Sequence, residues 1–235
     1  MSASSTATRP LAVVTGATGG IGHACVVDLS RDHEVLALGR DVELLAELDA
    51  LPHVTARAAD LTDFPSLPAL VQDLERVDVL VHSAALAGPS TVEDATVEQW
   101  RSRLELNVVA PAELTRLLLP ALRAARGTVV FLNSGSGFTA RGGDTVYAAS
   151  KFALRALADS LRQEVEGDGI VVSSVHPGPV DTRMQRRIQE SRGNEYRPES
   201  FIRPGSVAAA VRAVVDAGED AQVTSVTVRP RAGSR

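Results

Sequence analysis

The chain has 235 residues, a formal net charge of −5 and a hydrophobic share of 44%. The acidic balance, without a basic stripe, argues against a nucleic-acid partner, and no apolar run approaches the roughly 18 residues of a membrane span, so no membrane association is expected. Cys25 is the only cysteine, which excludes an intrachain disulfide or a cysteine-based zinc site, and no metal site is expected. Aromatic residues make up only 3%, so the core must come mainly from Ala, Val and Leu, a composition suited to parallel strands covered by helices. Residues 1–9 are small and polar without an apolar signal segment; they read as a tail, and a cytoplasmic location is the expectation.

In chain order, Leu11-Ala12-Val13-Val14 is a short β-type run followed at once by TGATGGIG, Thr15 to Gly22. Ile21, Cys25, Val26 and Leu29 then keep helical spacing. Strand, Gly-rich turn and helix in that order form the context of a phosphate-binding turn. Glycine lets backbone approach a pyrophosphate, and the helix N-terminus offers free N–H groups. A second strand, Val35 to Leu38, ends in Gly39-Arg40-Asp41. An acidic tip would hold the ribose hydroxyls of NAD, whereas an arginine suits a 2′-phosphate, so Arg40 points to NADP, and Asp41 reads as a helix cap.

His53 to Ala58 predicts a third strand with Asp60-Leu61 at its C-terminal end; Asp60 either accepts from an adenine amino group or caps the next helix. Pro65 and Pro68 limit that helix to a start near Ser66–Leu67. Val77 to Val81 predicts a fourth strand, running into His82-Ser83-Ala84-Ala85-Leu86-Ala87-Gly88, whose small residues allow a flat ligand near the backbone. His82 reads as a satisfied buried histidine, because no partner ligands share its spacing. Val97 to Ala121 predicts a long helix with Trp100, Leu104 and Val108 on one core stripe, Asn107 beside it, and a bend at Pro111. Thr128 to Leu132 is a fifth strand ending at Asn133-Ser134-Gly135-Ser136-Gly137.

A helix over 144–166 then carries Tyr147-Ala148-Ala149-Ser150-Lys151, with tyrosine and lysine one turn apart on one face. Bringing a phenol from its usual pKa near 10 to about 7 needs roughly 4 kcal/mol of preference for phenolate. An ammonium at ~4 Å supplies about that at an effective dielectric near 20. The pair is thus a plausible acid/base device, Tyr147 moving the proton and Lys151 tuning it. Gly169 to Val175 predicts a sixth strand, ending at His176-Pro177-Gly178-Pro179-Val180-Asp181-Thr182. Residues 183–203 are polar and Arg-rich with neither period clear, and are expected to form a mobile lid. A helix from Pro204 to Ala217 and a strand from Gln222 to Val228 complete the pattern. The alternation predicts one α/β domain over 10–229, Rossmann-type and doubly wound, with a seven-stranded parallel sheet covered by helices on both faces and a second tail at 230–235.

With these residues in place the chain resembles the short-chain dehydrogenase/reductase family, in its single-domain branch, over roughly residues 10–229. TGATGGIG matches the family's TGxxxGxG turn; Asp60 follows the third strand and Asn107 lies in the fourth helix. Ser134 lies thirteen residues before Tyr147, the family's usual interval; Tyr147 and Lys151 match YxxxK; Pro177-Gly178 with Thr182 matches the segment after the sixth strand. The resemblance implies an oxidoreductase of a small-molecule carbonyl or secondary alcohol, using NADP(H), with NAD(H) as the alternative. It implies catalytic roles for Ser134, Tyr147, Lys151 and Asn107: Ser134 bonds the substrate oxygen, Tyr147 gives or takes its proton, Lys151 holds the nicotinamide ribose and lowers the tyrosine pKa, and Asn107 supports a water relay to Lys151. Ser136 reads as a turn hydroxyl rather than a substitute for Ser134. The cofactor is then expected on Gly16, Thr18, Gly19, Gly20, Ile21 and Gly22 of the turn, on Arg40, Asp60 and Leu61, and on Ser83, Ala84 and Ala85. Tyr147, Lys151, Pro177, Gly178, Val180 and Thr182 complete that set.

Two departures stand out. The family's NNAG is His82-Ser83-Ala84-Ala85 here, which removes two asparagines that would tie the loop down. Gly16, Gly19 and Gly22 also fit the TGxxGxxG pattern of the longer, epimerase-like branch, but the short chain and the Ser134 interval favour the single-domain one. A homo-oligomer is expected, a dimer or a tetramer, the dimer being favoured if the missing glycine-rich end segment normally forms an interface. Arg141, Arg183, Arg186 and Arg187 read as solvated loop charge or as a preference for an anionic substrate. The rival reading is a non-catalytic nucleotide-sensing or partner-binding protein on the same scaffold.

Overall fold

The computed structural model describes residues 9–218 and 220–231. Apart from Arg9, the expected N-terminal tail lies outside them, as do residues 232–235 of the second tail. Seven strands form one sheet: β1 Leu11–Thr15, β2 Glu34–Gly39, β3 Val54–Ala58, β4 Val79–His82, β5 Thr128–Leu132, β6 Val171–Pro177 and β7 Ser225–Val228. Their order is β3-β2-β1-β4-β5-β6-β7 and every pairing is parallel. The helices are α1 Gly20–Leu29, α2 Val42–Asp49, α3 Leu67–Val71, α4 Val97–Leu104, α5 Ala110–Ala125, α6 Thr145–Glu164, α7 Arg183–Ser191 and α8 Pro204–Val215.

The strand residues alternate between two cores, as a pleated sheet requires. Ala12 and Val14 pack with Cys25, Val26, Val211 and Val214, the α1 and α8 side. Val13, between them, packs with Leu114, Leu118, Leu154 and Leu161, the α5 and α6 side. The sheet is therefore covered on both faces, and its strands read as continuous apolar runs. Among the described residues no helix is long and apolar enough to cross a membrane.

The long helix expected over 97–121 departs from its simple form. Pro111 cannot donate to the carbonyl of Asn107, four residues back, and its ring crowds that carbonyl. The chain widens into one π turn over Glu105–Val109, in which the Ala110 N–H reaches the Glu105 carbonyl five residues back. The irregularity thus precedes the proline, and the buried positions become Arg103, Leu106, Asn107 and Ala110. Trp100, Leu104 and Val108, expected in the core, are only half-buried. The expected lid also differs: 183–191 is the helix α7, with the Thr182 side chain accepting from the Gln185 N–H at 3.2 Å as its cap.

β1 lies between β2, where Val14 faces Ala37, and β4, where Val14 faces Val81. The chain leaves β1 at this reversal of strand order, which opens a crevice at the C-terminal edge of the sheet. Two glycines fix the turn there. Gly16 has φ +63°, and a Cβ on it would lie 2.7 Å from the Ala84 nitrogen; a Cβ on Gly22 would lie 2.2 Å from the Gly16 carbonyl oxygen. Both clashes are with backbone, which cannot swing aside. Gly22→Ala is expected to lose about 1–3 kcal/mol in chemical denaturation, whereas Gly142→Ala, with no atom within 4 Å of the added carbon, should stay within about 0.5 kcal/mol of wild type.

Candidate active site

The turn after β1 ends at Gly19, which precedes α1 without a side-chain cap, so the first amides of the helix are available to an anion. Thr18, Gly19 and Gly16 border a cavity of about 550 Å³. Leu38, Gly39, Arg40 and Asp41 at the end of β2 line it, with Ala59 and Leu61 beyond β3. Arg40 is exposed and forms no ion pair among the described residues. Asp41 caps α2 as expected, accepting from the Leu44 N–H at 3.3 Å. Asp60 is exposed and off the cavity wall; its carboxylate accepts from the Thr62 N–H at 2.9 Å and hydroxyl at 2.7 Å, which holds its pKa below the usual carboxylate value.

The far wall is the loop after β4, Ser83 to Pro89. The two absent asparagines are replaced by other residues. The Thr15 hydroxyl accepts from the Ser83 and Ala84 N–H groups at 3.1 and 3.3 Å. Asn107, fully buried, accepts from the Leu86 N–H at 2.7 Å and donates to the Leu86 carbonyl and the Ser150 hydroxyl, both at 2.9 Å. These bonds take up both amide hydrogens of Asn107, so its side chain ties the loop to α6. His82 is the satisfied buried histidine expected: it bonds the Thr115 hydroxyl at 2.8 Å, stacks on Phe131, and burial pushes its pKa down to about 3.

Ser134 leaves β5 in extended backbone, its hydroxyl accepting from the Ser136 N–H at 3.1 Å. His176 at the end of β6 contacts the Ser134 carbonyl at 3.1 Å. Ser136 therefore serves the turn through its amide. Tyr147 stands in the first turn of α6. Burial raises its phenol pKa, a hydrogen bond with the Ser134 hydroxyl pulls it back, and Asp144 adds to the rise. Lys151 is 1% exposed; its Nζ donates to the Leu132 carbonyl at 2.9 Å and lies 5.8 Å from the centre of the Tyr147 ring. Burial pushes its pKa down to about 7.

The expected tuning is thus not produced by the protein's own groups. Desolvation acts on both partners, and the amine that was to lower the phenol's pKa has itself lost much of its charge. Ser134, Tyr147 and Lys151 nevertheless come together from β5 and α6, although they are not among the residues lining the cavity. Gly20, Ile21, Gly22, Pro177, Gly178, Val180 and Thr182 are likewise not among the residues that line it. Gly20 abuts Thr182, whose methyl carbon would be 2.7 Å from an added Cβ. Gly178 bonds the Val228 carbonyl, and Val180 is buried.

Sequence reasoning missed Thr15, although it opens the Gly-rich turn; it placed the 183–203 segment as a lid and singled out Arg183 and Arg187, but did not give the segment its helical form. Arg183, Met184, Arg187, Ile188 and Ser191 all line the cavity. Their spacing is helical, and Thr182 followed by Gln185 is a helix-start signal. No cluster of three or more metal-ligating side chains occurs among the described residues.

A doubly wound parallel sheet, a glycine-bound turn at its switch point and a Ser/Tyr/Lys group at the same edge define a class of dinucleotide-binding α/β proteins. The comparisons narrow it. A family model described as short chain dehydrogenase matches residues 10–193. The chain is 30% identical to an uncharacterized oxidoreductase of Staphylococcus epidermidis, covering 94% of this chain and 96% of that one. Among solved structures it is 43% identical to a candidate short-chain dehydrogenase/reductase of Corynebacterium glutamicum, with a TM-score of 0.73, covering 94% of this chain and all of that one. It is 29% identical to a Beutenbergia cavernae protein solved with NADP at low occupancy, with a TM-score of 0.84, covering 95% and 96% of the two chains. The chain belongs to the short-chain dehydrogenase family.

The buried lysine has a consequence for stability. Between its folded pKa of about 7 and its ordinary value of 10.5, the folded state binds fewer protons than the unfolded state, so stability rises with pH across that window. Lys151→Met removes this penalty. The variant is expected to exceed wild type in stability most below pH ~7, with the difference closing toward pH ~10.5, as denaturant titrations across that range would read.

Proposed function

We propose that the chain is an NADP(H)-dependent oxidoreductase that interconverts a small-molecule carbonyl and a secondary alcohol, with Tyr147 as the acid/base group. The observation that carries this reading is that Ser134, Tyr147 and Lys151 meet at one sheet edge: the Ser134 hydroxyl lowers the Tyr147 phenol's pKa against the burial that raises it, and the buried Lys151 amine lies 5.8 Å from the phenol ring. The dinucleotide reading is supported by the cavity that Gly16, Thr18 and Gly19 border where α1 begins without a side-chain cap. Gly16, Thr18 and Gly19 would hold the pyrophosphate end, Arg40 the 2′-phosphate, and Ser83 to Ala85 the flat rings. NADP in the Beutenbergia cavernae relative agrees with this choice. The nicotinamide, when bound, supplies the hydride exchange.

The chain's own groups then manage the oxygen and its proton. The raised pKa of Tyr147 keeps the phenol protonated at neutral pH, the form needed to donate to a carbonyl oxygen during reduction. Ser134 donates to the same oxygen and stabilises charge developing on it. In the oxidising direction phenolate is required, and a protonated Lys151 favours it. Asn107 acts at one remove, holding the loop at Leu86 against α6. We further propose a homodimer or homotetramer, supported by the exposed apolar side chains of Val109 and Phe152 on adjoining segments.

Tyr147→Phe is expected to abolish NADPH oxidation with every member of a carbonyl panel while leaving NADPH fluorescence titrations within about twofold of wild type. Turnover near wild type would remove the assigned role. NADPH binding without turnover by the wild-type protein would favour the sensing alternative. Arg40→Ala is expected to raise the Kd for NADPH by about tenfold or more while changing that for NADH little, a charge-assisted contact being worth roughly 1.5–3 kcal/mol. Equal losses for both would reject the 2′-phosphate assignment.

A further inference from the structure

We propose that Arg183 on α7 is a second cation of the 2′-phosphate site, so that the phosphorylated cofactor fastens this helix over the cavity; the inference rests on the NADP reading above. Asp41 presents a difficulty for that reading. Its carboxylate lines the cavity directly beside Arg40, where it would repel a phosphate. The structure answers with a group from the other end of the chain. Arg183 Nη1 lies 3.4 Å from Asp41 Oδ2, and its Nη2 donates to the Thr18 carbonyl at 2.8 Å. The guanidinium therefore lies across the turn and the β2 tip together, between the two places where the adenosine phosphates would sit.

One helical turn along α7, Arg187 lines the same cavity and forms no ion pair among the described residues. The wall thus carries three guanidinium groups, from Arg40, Arg183 and Arg187, against the single carboxylate of Asp41. That excess is matched to a phosphate monoester, which carries about −1.5 to −2 charge near pH 7. An exposed arginine–aspartate pair alone would be ordinary surface chemistry. Here the pair joins a helix that roofs the cavity to the residue next to the proposed phosphate-binding arginine, and its planar fork can turn from carboxylate to phosphate without leaving Thr18. NADH lacks the phosphate and cannot make that exchange.

The test is a set of fluorescence titrations of the full chain with NADPH and NADH, using wild type, Arg183→Gln, Asp41→Asn and the double variant. Asparagine keeps the cap of α2. Arg183→Gln is expected to weaken NADPH by about tenfold, the loss of one charge-assisted bond, and NADH by less than about twofold. The double variant should stay about tenfold weaker toward NADPH than Asp41→Asn alone, because removing the carboxylate does not restore the bond from Arg183 to the phosphate; equal NADPH affinity in these two variants would mean that Arg183 only neutralises Asp41 and would overturn the inference. In limited proteolysis, NADPH but not NADH should protect residues 183–203 of wild type, and Arg183→Gln should lose that protection with its melting temperature unchanged. An unaltered NADPH/NADH ratio in Arg183→Gln, while wild type binds NADPH, overturns this inference alone. Failure of wild type to bind either nucleotide overturns the NADP reading and this inference with it.

Discussion

The Thr15 hydroxyl holds the point on which the site depends. Where β1 and β4 part, the sheet ladder ends and the Ser83 and Ala84 amides lose their strand partners. Thr15 Oγ1, on a residue 1% exposed, accepts from both and lies 3.4 Å from the Val81 carbonyl, to which it donates. A buried amide without a partner costs about 1–3 kcal/mol, so this one oxygen removes two such costs. It also fixes how close the Gly-rich turn comes to the β4 loop. Gly16 reaches the backbone of Ala84 so closely that no side chain fits between them. The cavity lies beside this contact, between the end of β2 and the loop after β4.

The site built around this point has two electrical ends. Near the sheet edge at β5 and β6 the ionisable groups are driven toward neutrality. His82 is held near 3, Lys151 near 7, His176 is lowered by burial, and the Tyr147 phenol is raised. Desolvation is the leading cause in each case, and it always disfavours the charged form. At the β2 end, by contrast, Arg40, Asp41, Arg183 and Arg187 remain at the surface of the cavity. One end suits proton movement at neutral groups, the other suits anchoring a polyanion. The separation follows from the fold: Lys151 lies buried where α6 packs on the sheet, while Arg40 and Asp41 follow the end of β2 on the cavity wall.

Most of this organisation was legible in the sequence. Every strand began and ended within a few residues of its expected run; for the central strands β1, β2, β4 and β5 the reason is that a doubly covered parallel strand has no polar face to confuse the pattern. That Tyr147 and Lys151 share one face of α6 was legible from spacing, Ser134 was pointed to only by the family resemblance, and the Asp41 cap was legible from its position. Three features were not. The π turn at Glu105–Val109 shifts the buried face of the helix by a residue, and a strict helical period cannot anticipate it. Thr15 was hidden by its neighbours, since a threonine beside glycines reads as turn composition. The pKa balance between Tyr147 and Lys151 depends on how much water each loses, which sequence distance does not encode.

The helix α7 shows why an Arg-rich segment without a core can still be ordered. None of its residues is fully buried, so packing alone does not place it. It is held instead by polar contacts at both ends. Thr182 caps its start and Arg183 reaches Thr18 and Asp41. Beyond its end, Arg192 pairs with Asp144 at 2.6 Å, while Tyr196 donates to Asp181 and lies under Arg186. Each exposed pair contributes roughly 0–1 kcal/mol, so the helix sits at the low end of local stability. Asp144 lies immediately before α6, three residues ahead of Tyr147. The same short helix therefore links the β2 end of the cavity to the start of the helix that carries Tyr147. Polar fastening at its two ends, rather than burial, thus places this segment, while packing on both faces holds the sheet beneath it.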